Sequence, residues 1–482
     1  MKSLSLTQTI NFLKANWIIC LIVCLAAWTR TWQLDNLGIL YSDAGRDLMV
    51  AYHSVQDRTL PLLGIPSSVP RFKQGPVTIW LEMMVIVIFG VNTLAQSLTF
   101  ALISILAVIG LYEFAAIYLS KRQALIAAAL LALSPLAIAN GRVPYHTTPL
   151  PLALVLYLFS LLLLWQRKKF NLFFVSFAFA FLFQFELAMA PLILLIPFVL
   201  WHQKRKLRKT QFLQLALGLA VGLLPQIIFD LTHKFAQVGT FVVWIGYKLL
   251  QFVSFKAGGG VSFTQYGSAL AHFGGRIFST DYWQVSVLVG VLMLVGFYIA
   301  FRDLRKKELA PAMLLVELAI LLLFVSYFVY GSASEAYFPP FFILLPLHLA
   351  YTITKLNKQL QQVTLIGVVG LCLFNLYSVT QQSFFVETTQ PFSYGASVRE
   401  IRHIINFVDA KSTGRYQLKT LGGLEAEFPS FFENYRWLAL ESGQTSSEIG
   451  PVFYISNANA TMPNSLFFYR EYASQRVLWQ PF

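Results

Sequence analysis

Eleven apolar stretches, each close to the length needed to cross a bilayer, dictate what this chain can become. They lie at about 16–33, 95–118, 123–140, 149–165, 172–186, 188–201, 211–229, 284–301, 312–330, 338–354 and 362–381. In hydrocarbon a backbone must satisfy its own polar groups, so such runs become helices. The 482-residue chain is 57% hydrophobic and 12% charged, with a mean hydropathy of +0.62, so a polytopic α-helical membrane protein is expected. A further apolar run, 76–90, is read as a helix at the membrane surface. Gly75-Pro76 opens it, Glu82 interrupts it, and Gly90-Val91-Asn92 closes it early.

Charge placement orients these segments. The net charge of +14 comes from short basic clusters between apolar runs, as topology signals do, so nucleic acid is not an expected partner. With the amino terminus inside, half of the 36 basic residues fall in short inner loops, including Lys121-Arg122, Arg167-Lys168-Lys169, the 204–209 cluster and Arg305-Lys306-Lys307. Residues 34–94, 141–148, 230–283, 331–337 and the tail from about 382 then lie outside. The first run, Trp17 to Trp32, lacks a small-residue cleavage site and reads as an uncleaved anchor. Gly258-Gly259-Gly260 suggests a mobile outer loop. Cys20, Cys24 and Cys372 all sit in apolar runs, which suggests neither disulfides nor zinc.

From Gln382 the long apolar runs stop and charges return. Helical periodicity over Val398 to Val408 and short strand patterns at Tyr416 to Leu421 and Val452 to Ser456 predict a small α/β domain. The expected division is a transmembrane module over 1–381 and an extracytoplasmic domain over 382–482.

Just after the anchor comes Tyr41-Ser42-Asp43-Ala44-Gly45-Arg46-Asp47. If helical, it projects Asp43, Arg46 and Asp47 from one face, which sets a base beside a cation at the water interface. The plain alternative is a solvated charged loop. Other polar groups gather on the same side of the membrane: Arg71 and Lys73, Arg142, Tyr145 and His146, Glu186, Asp230 with His233-Lys234, and Glu335 with Tyr337. Glu186, at the apex of two apolar helices, is costly in hydrocarbon and calls for a cavity or a partner, a structural salt bridge to Arg142 being its rival reading. Arg142 and His146 have interfacial anchoring as their rival reading.

Transfer of a sugar from a polyprenyl phosphate fits this set. The leaving phosphate departs as an anion, so cations suffice for it, and one carboxylate can take the acceptor's proton. A glycosidase needs a second carboxyl group across the sugar, which Asp43 and Asp47 are too close in sequence to supply. No Asp-x-Asp pair favours a metal-bound nucleotide sugar, and no cofactor is indicated, a divalent cation staying open.

Ser42-Asp43-Ala44-Gly45-Arg46-Asp47, Leu60-Pro61-Leu62-Leu63-Gly64, Gln74-Gly75-Pro76, Leu133-Ser134-Pro135, Gly141-Arg142-Val143-Pro144-Tyr145 and Phe183-Gln184-Phe185-Glu186 occur in that order. Over about residues 10 to 380 the pattern resembles the bacterial branch of the protein O-mannosyltransferase-like glycosyltransferases, glycosyltransferase family 39, whose relatives include the aminoarabinose transferase of lipid A. The resemblance implies a GT-C fold, inverting transfer from a polyprenyl-phosphate sugar, and an essential acid in the first outer loop that corresponds to Asp43. Many members have Asp-Glu there, whereas this chain has Asp43-Ala44 with the next acid at Asp47, so both acids stand as candidate bases with Asp43 favoured.

The expected protein is thus an inner-membrane, multi-pass glycosyltransferase with its site on the extracytoplasmic face. Its partners are a polyprenyl-phosphate-linked sugar, the bilayer, and an acceptor lipid, glycan or protein. Asp43 and Asp47 are the catalytic candidates; Arg46, Arg71, Lys73, Arg142, Tyr145, His146, Glu186 and Tyr337 are the substrate-binding ones. A transporter or flippase of a lipid-linked anion would instead carry mid-membrane charges and mirrored halves. A surface-polysaccharide polymerase or ligase shares the donor and is not separated by sequence.

Overall fold

The computed structural model describes residues 6–67, 69–168, 171–204, 206–254, 274–279, 283–330, 337–381, 396–412, 415–420, 430–444, 450–457, 468–472 and 475–480. Gly258-Gly259-Gly260 and Glu335 lie outside them.

Helices dominate. The anchor is α1 (Leu6–Thr31), broken by non-helical backbone at Asn16. A short α2 (Leu34–Leu37) leads to α3 (Ser42–Gln56), α4 (Val77–Phe89) and α5 (Thr93–Tyr118). Then come α6 (Lys121–Ala132), α7 (Pro135–Gly141), α8 (Leu150–Trp165) and α9 (Asn171–Phe185). A 3-10 segment (Leu187–Leu194) runs into α10 (Leu195–His202), followed by α11 (Lys209–Gly222), α12 (Leu224–Thr232) and α13 (Ala236–Ser254). The bundle closes with α14 (Trp283–Arg305), α15 (Pro311–Tyr330), α16 (Phe341–Lys355) and α17 (Lys358–Thr380).

Each of the eleven apolar stretches coincides with a helix or helix pair. Three described helices, Thr93–Tyr118, Gln284–Arg305 and Lys358–Thr380, are long and apolar enough to cross a membrane alone, and up to five if bent pairs count. The pairs are α6 with α7, bent by 64°, and α11 with α12, bent by 77°. Proline explains both bends. Pro135 and Pro225 stand in the first turn of the second helix of each pair, where a ring without an N–H restarts a helix at no cost but cannot continue the one before. Ser134 caps the restart by accepting from the Ala137 N–H at 3.2 Å. At the other bend the freed Gly222 carbonyl accepts from Gln184 Nε2 at 2.6 Å. Gly218 and Gly222, four apart, let α11 press against α9: a methyl group at Gly218 would stand 2.4 Å from the Phe173 carbonyl.

The tail forms α18 (Val398–Ser412), α19 (Glu433–Glu441) and a four-stranded sheet of β1 (Gln417–Thr420), β2 (Val452–Asn457), β3 (Phe468–Glu471) and β4 (Gln475–Trp479). The sheet order is β1-β2-β4-β3, with β1 parallel to β2 and the other pairings antiparallel. This unit does not stand apart. Ile401, Ile405, Trp437 and Leu438 of the tail share one apolar cluster with Ile39, Leu48, Ala51 and Ile79 of the first loop.

Several polar clips reinforce that seam. Val398 N donates to Gly38 O at 2.9 Å, Trp437 Nε1 donates to Thr93 Oγ1 at 2.9 Å, and Arg402 bridges Asp35 and Glu441. The Glu441 carboxylate accepts from Thr93 N at 2.6 Å and from Thr93 Oγ1 at 3.0 Å. It therefore places an anion at the positive end of α5.

Candidate active site

The first turns of α3 carry the acids. Arg46 Nη1 donates to Asp43 Oδ1 at 2.8 Å, while Nε and Nη2 both donate to Asp47 Oδ1, at 2.9 and 2.8 Å. One guanidinium thus clamps two carboxylates, the helical arrangement expected from their spacing. Their environments differ. The Asp43 side chain is 45% exposed and that of Asp47 is 0% exposed. Burial pushes the Asp47 carboxyl up to about 6, against the downward pull of Arg46 and His146.

Behind Asp47 lies Glu82 of α4, fully buried, its carboxyl pushed well above the usual range by burial and then by the charge on Asp47. A proton-bearing acid results. Thr78 and Glu82, four apart, share one polar face of an otherwise apolar helix, and Gln74 lies on the ribbon just before it. Among the described residues Asp47 Oδ2, both Glu82 oxygens, Thr78 Oγ1 and Gln74 Oε1 have no hydrogen-bond partner, so this seam is rich in open acceptors.

The tail meets α3 at Gly45. A Cβ there would lie 2.2 Å from the Asn434 backbone nitrogen, so no side chain is tolerated while α19 is docked. Asn434 Nδ2 donates to Leu40 O at 2.7 Å, and Ser430 Oγ donates to Asp43 Oδ1 at 3.2 Å. Asp43 Oδ1 therefore has two donors. The side chain remains 45% exposed, which suits a base that must receive a substrate hydroxyl. Beside it, Tyr41 and Tyr145 meet edge to face at 4.8 Å between ring centroids, and Tyr145 meets His146 at 4.0 Å. Burial, then the charges of Asp43 and Asp47, drive the Tyr145 phenol well above its ordinary value, which keeps it a hydrogen-bond donor.

His146 Nε2 lies 3.4 Å from Glu186 Oε2. Glu186 also caps the 3-10 segment by accepting from Ala188 N at 3.1 Å. Its close polar partner is therefore His146, whereas the salt bridge considered from sequence was to Arg142.

Arg142 needs correction as a phosphate ligand. Fully buried, it donates through Nη1 to the Thr29 and Trp32 carbonyls and through Nη2 to the Leu37 carbonyl, at 2.9 to 3.2 Å. That makes it a bracket holding the chain between α1 and α3. Tyr337 is likewise not brought to Asp43: it is buried in the bundle core, where the Tyr327 hydroxyl donates to its carbonyl.

Arg71 and Lys73 are exposed on the ribbon before α4. The ribbon is closed by Gln74 N to Ile65 O and Ser67 N to Phe72 O, with Arg71 at its tip in the left-handed region (φ 63°). Gln237 at the start of α13 fastens it, accepting from Lys73 N at 2.8 Å, and Phe72 packs on Phe241.

Sequence reasoning overlooked Glu82, Ser430 and Asn434. A carboxylate inside an apolar helix was a signal for Glu82, read only as an interruption. Ser430 and Asn434 offered none, because their roles arise from contacts with residues 387 and 394 positions away.

Next to this cluster a cavity of about 600 Å³ opens between α3 and the tail, lined by Arg46, Val50 and His53 on one side and Phe432, Glu433 and Arg436 on the other.

A helical bundle with an acid-bearing first loop and a docked α/β unit is a GT-C-type fold. The structure of ArnT from Cupriavidus metallidurans bound to undecaprenyl phosphate superposes with a TM-score of 0.58 over 96% of this chain and 98% of that one, at 14% identity. Its apo form gives 0.58 at 12% identity over the same shares. The apo oligosaccharyltransferase of Archaeoglobus fulgidus gives 0.53 at 12% identity over 89% of this chain and 64% of that one. In sequence, residues 73–229 match the dolichyl-phosphate-mannose-protein mannosyltransferase family model. The GT-C fold expected from the motifs is therefore found, and a segment of the chain matches the mannosyltransferase family model. No curated protein matches the chain by sequence.

Proposed function

We propose that this chain is a membrane glycosyltransferase that moves a sugar from a polyprenyl-phosphate donor to an acceptor hydroxyl outside the cytosol, with inversion at the anomeric carbon. The glycosyltransferase class rests on the family match and the fold. Undecaprenyl phosphate in the ArnT structure is the basis for the choice of donor lipid. The eleven helices and bent pairs are read as spans in the inner membrane, residues 1–381 as the transferase module and 382–482 as an extracytoplasmic unit docked on it.

In this reading Asp43 is the base. Its free oxygen accepts the proton of the acceptor hydroxyl as that oxygen bonds to the sugar's C1, while the bond from C1 to the phosphate oxygen breaks and polyprenyl phosphate leaves with the electron pair. Arg46 holds Asp43 oriented, with Asp47 anchoring the guanidinium from behind. Arg71 and Lys73, on a ribbon fastened to α13, face the growing phosphate charge. Tyr145 and His146 flank the reacting sugar, and Glu186 orients His146.

The observation that carries the reading is the unequal pair on one helix turn: Asp43 half-exposed and doubly held on one oxygen, Asp47 sealed in the interior. Sugar transfer from undecaprenyl-phosphate-linked hexoses, followed in membranes containing wild type or Asp43→Asn, tests it. Loss of transfer with normal insertion is expected; unchanged transfer removes Asp43 from the mechanism.

A further inference from the structure

We propose that the cavity between α3 and the tail is an acceptor subsite for a neutral saccharide presented from the aqueous side, an assignment that rests on the transferase reading above and names its second substrate class.

Position comes first. Among the described residues the 600 Å³ cavity is bounded by α3, β1 and α19 and by none of the bundle helices, so a molecule enters it from the water rather than between spans. That volume lies within the about 300–1,000 Å³ usual for small-ligand sites. One wall is Arg46, which is bonded to Asp43, and Ser430, two residues before Phe432, is bonded to Asp43 as well. The base therefore sits at the cavity rim, and a hydroxyl of a molecule held inside reaches it.

Charge then decides the ligand. Arg46 is neutralised by Asp43 and Asp47, and Arg436 by Glu433 at 2.6 Å, so the guanidinium charges are cancelled in place and the cavity is no trap for anions. What remains is hydrogen bonding in both directions: unused guanidinium N–H groups, the Glu433 carboxylate, Gln417 and His53. Planar side chains of this kind match neighbouring sugar hydroxyls, which donate and accept together. Phe432 and Tyr416 with Met49, Val50 and Leu418 add an apolar wall of the sort that receives the C–H face of a sugar ring. A peptide would instead extend along β1, an edge strand of only four residues.

The full-length protein in detergent is tested by saturation-transfer NMR with two neutral disaccharides, maltose and N,N′-diacetylchitobiose, at millimolar concentration. A neutral Ser/Thr peptide serves as comparison, and undecaprenyl phosphate binding is measured in parallel. Val50→Trp fills the cavity from a position already 43% exposed, so folding is not at stake. At least one disaccharide is expected to bind wild type and to weaken at least tenfold in Val50→Trp, with several-fold weakening in Glu433→Gln and unchanged lipid-phosphate binding. Binding of the peptide alone, disaccharide binding indifferent to Val50→Trp, or no disaccharide binding by a protein that holds undecaprenyl phosphate would each overturn the assignment. Disaccharide binding without any lipid-phosphate binding would overturn the transferase reading and leave the cavity's ligand standing.

Discussion

The bundle and the head formed by the first loop and the tail are built by opposite rules. In the bundle, large apolar side chains point outward as readily as inward: Leu294 is 71% and Ile366 73% exposed, while Leu315, Ala319 and Leu323 are sealed inside. Water drives no such sorting inside a bilayer, so helices there are chosen by packing and by internally satisfied backbones. In the head, water does sort. Ile401, Ile405, Trp437 and Phe453 are buried, and the polar groups that go in with them are mostly bonded, as Asn434 and Glu441 are. The proposed site sits where the two regimes meet, and there the Asp43 carboxylate is both fixed and wet.

If the head holds the reaction, Asp43→Asn has the largest effect, a fall in kcat/KM of about 10³-fold in reconstituted sugar transfer with an unchanged unfolding temperature. Transfer surviving that change would move the chemistry out of the head.

Arg142→Met probes the joint between the regions. It leaves the Thr29, Trp32 and Leu37 carbonyls without their donor, which should cost about 3 kcal/mol in detergent unfolding. The outward-facing Leu294→Ala should change stability by less than about 0.5 kcal/mol. Equal effects would dissolve the contrast.

Asp47 gives the comparison a pH axis. Its folded-state carboxyl is raised from 3.8 to about 6, so the native protein holds this proton more tightly than the unfolded chain. The contribution is full below about pH 4 and is lost as pH rises through 6, a decline of about 2 to 3 kcal/mol. Asp47→Asn should flatten that part of the stability profile, and a profile unaltered by it would mean that Asp47 titrates as though exposed.

Ser430→Ala is the smallest test, about fivefold in kcat. Loss of this donor leaves the Asp43 carboxylate less firmly oriented, so kcat should fall with KM little changed, and Ser430→Thr should restore it. An unchanged kcat would reduce Ser430 to packing.

Much of the bundle was legible, because apolarity and proline act locally: the stretch ending near 140 and that ending near 229 were found whole, though their bends at Pro135 and Pro225 were not drawn. The pairing of Asp43, Arg46 and Asp47 was legible for the same reason, being a matter of spacing on one helix. Arg142 was misread because an arginine beside a membrane boundary has the same sequence signature whether it grips a phosphate or three carbonyls. Gly45, unremarked within that motif, gained meaning only when it proved to be the floor on which Asn434 rests.

By itself the chain's order of residues determined helices, charge asymmetry and the acid-bearing turn, since each depends on neighbours within a few positions. Which acid is wet, which arginine is structural and which tail residue touches Asp43 were decided by tertiary structure alone. Those properties are set by burial and by partners hundreds of residues away, and no local pattern encodes either.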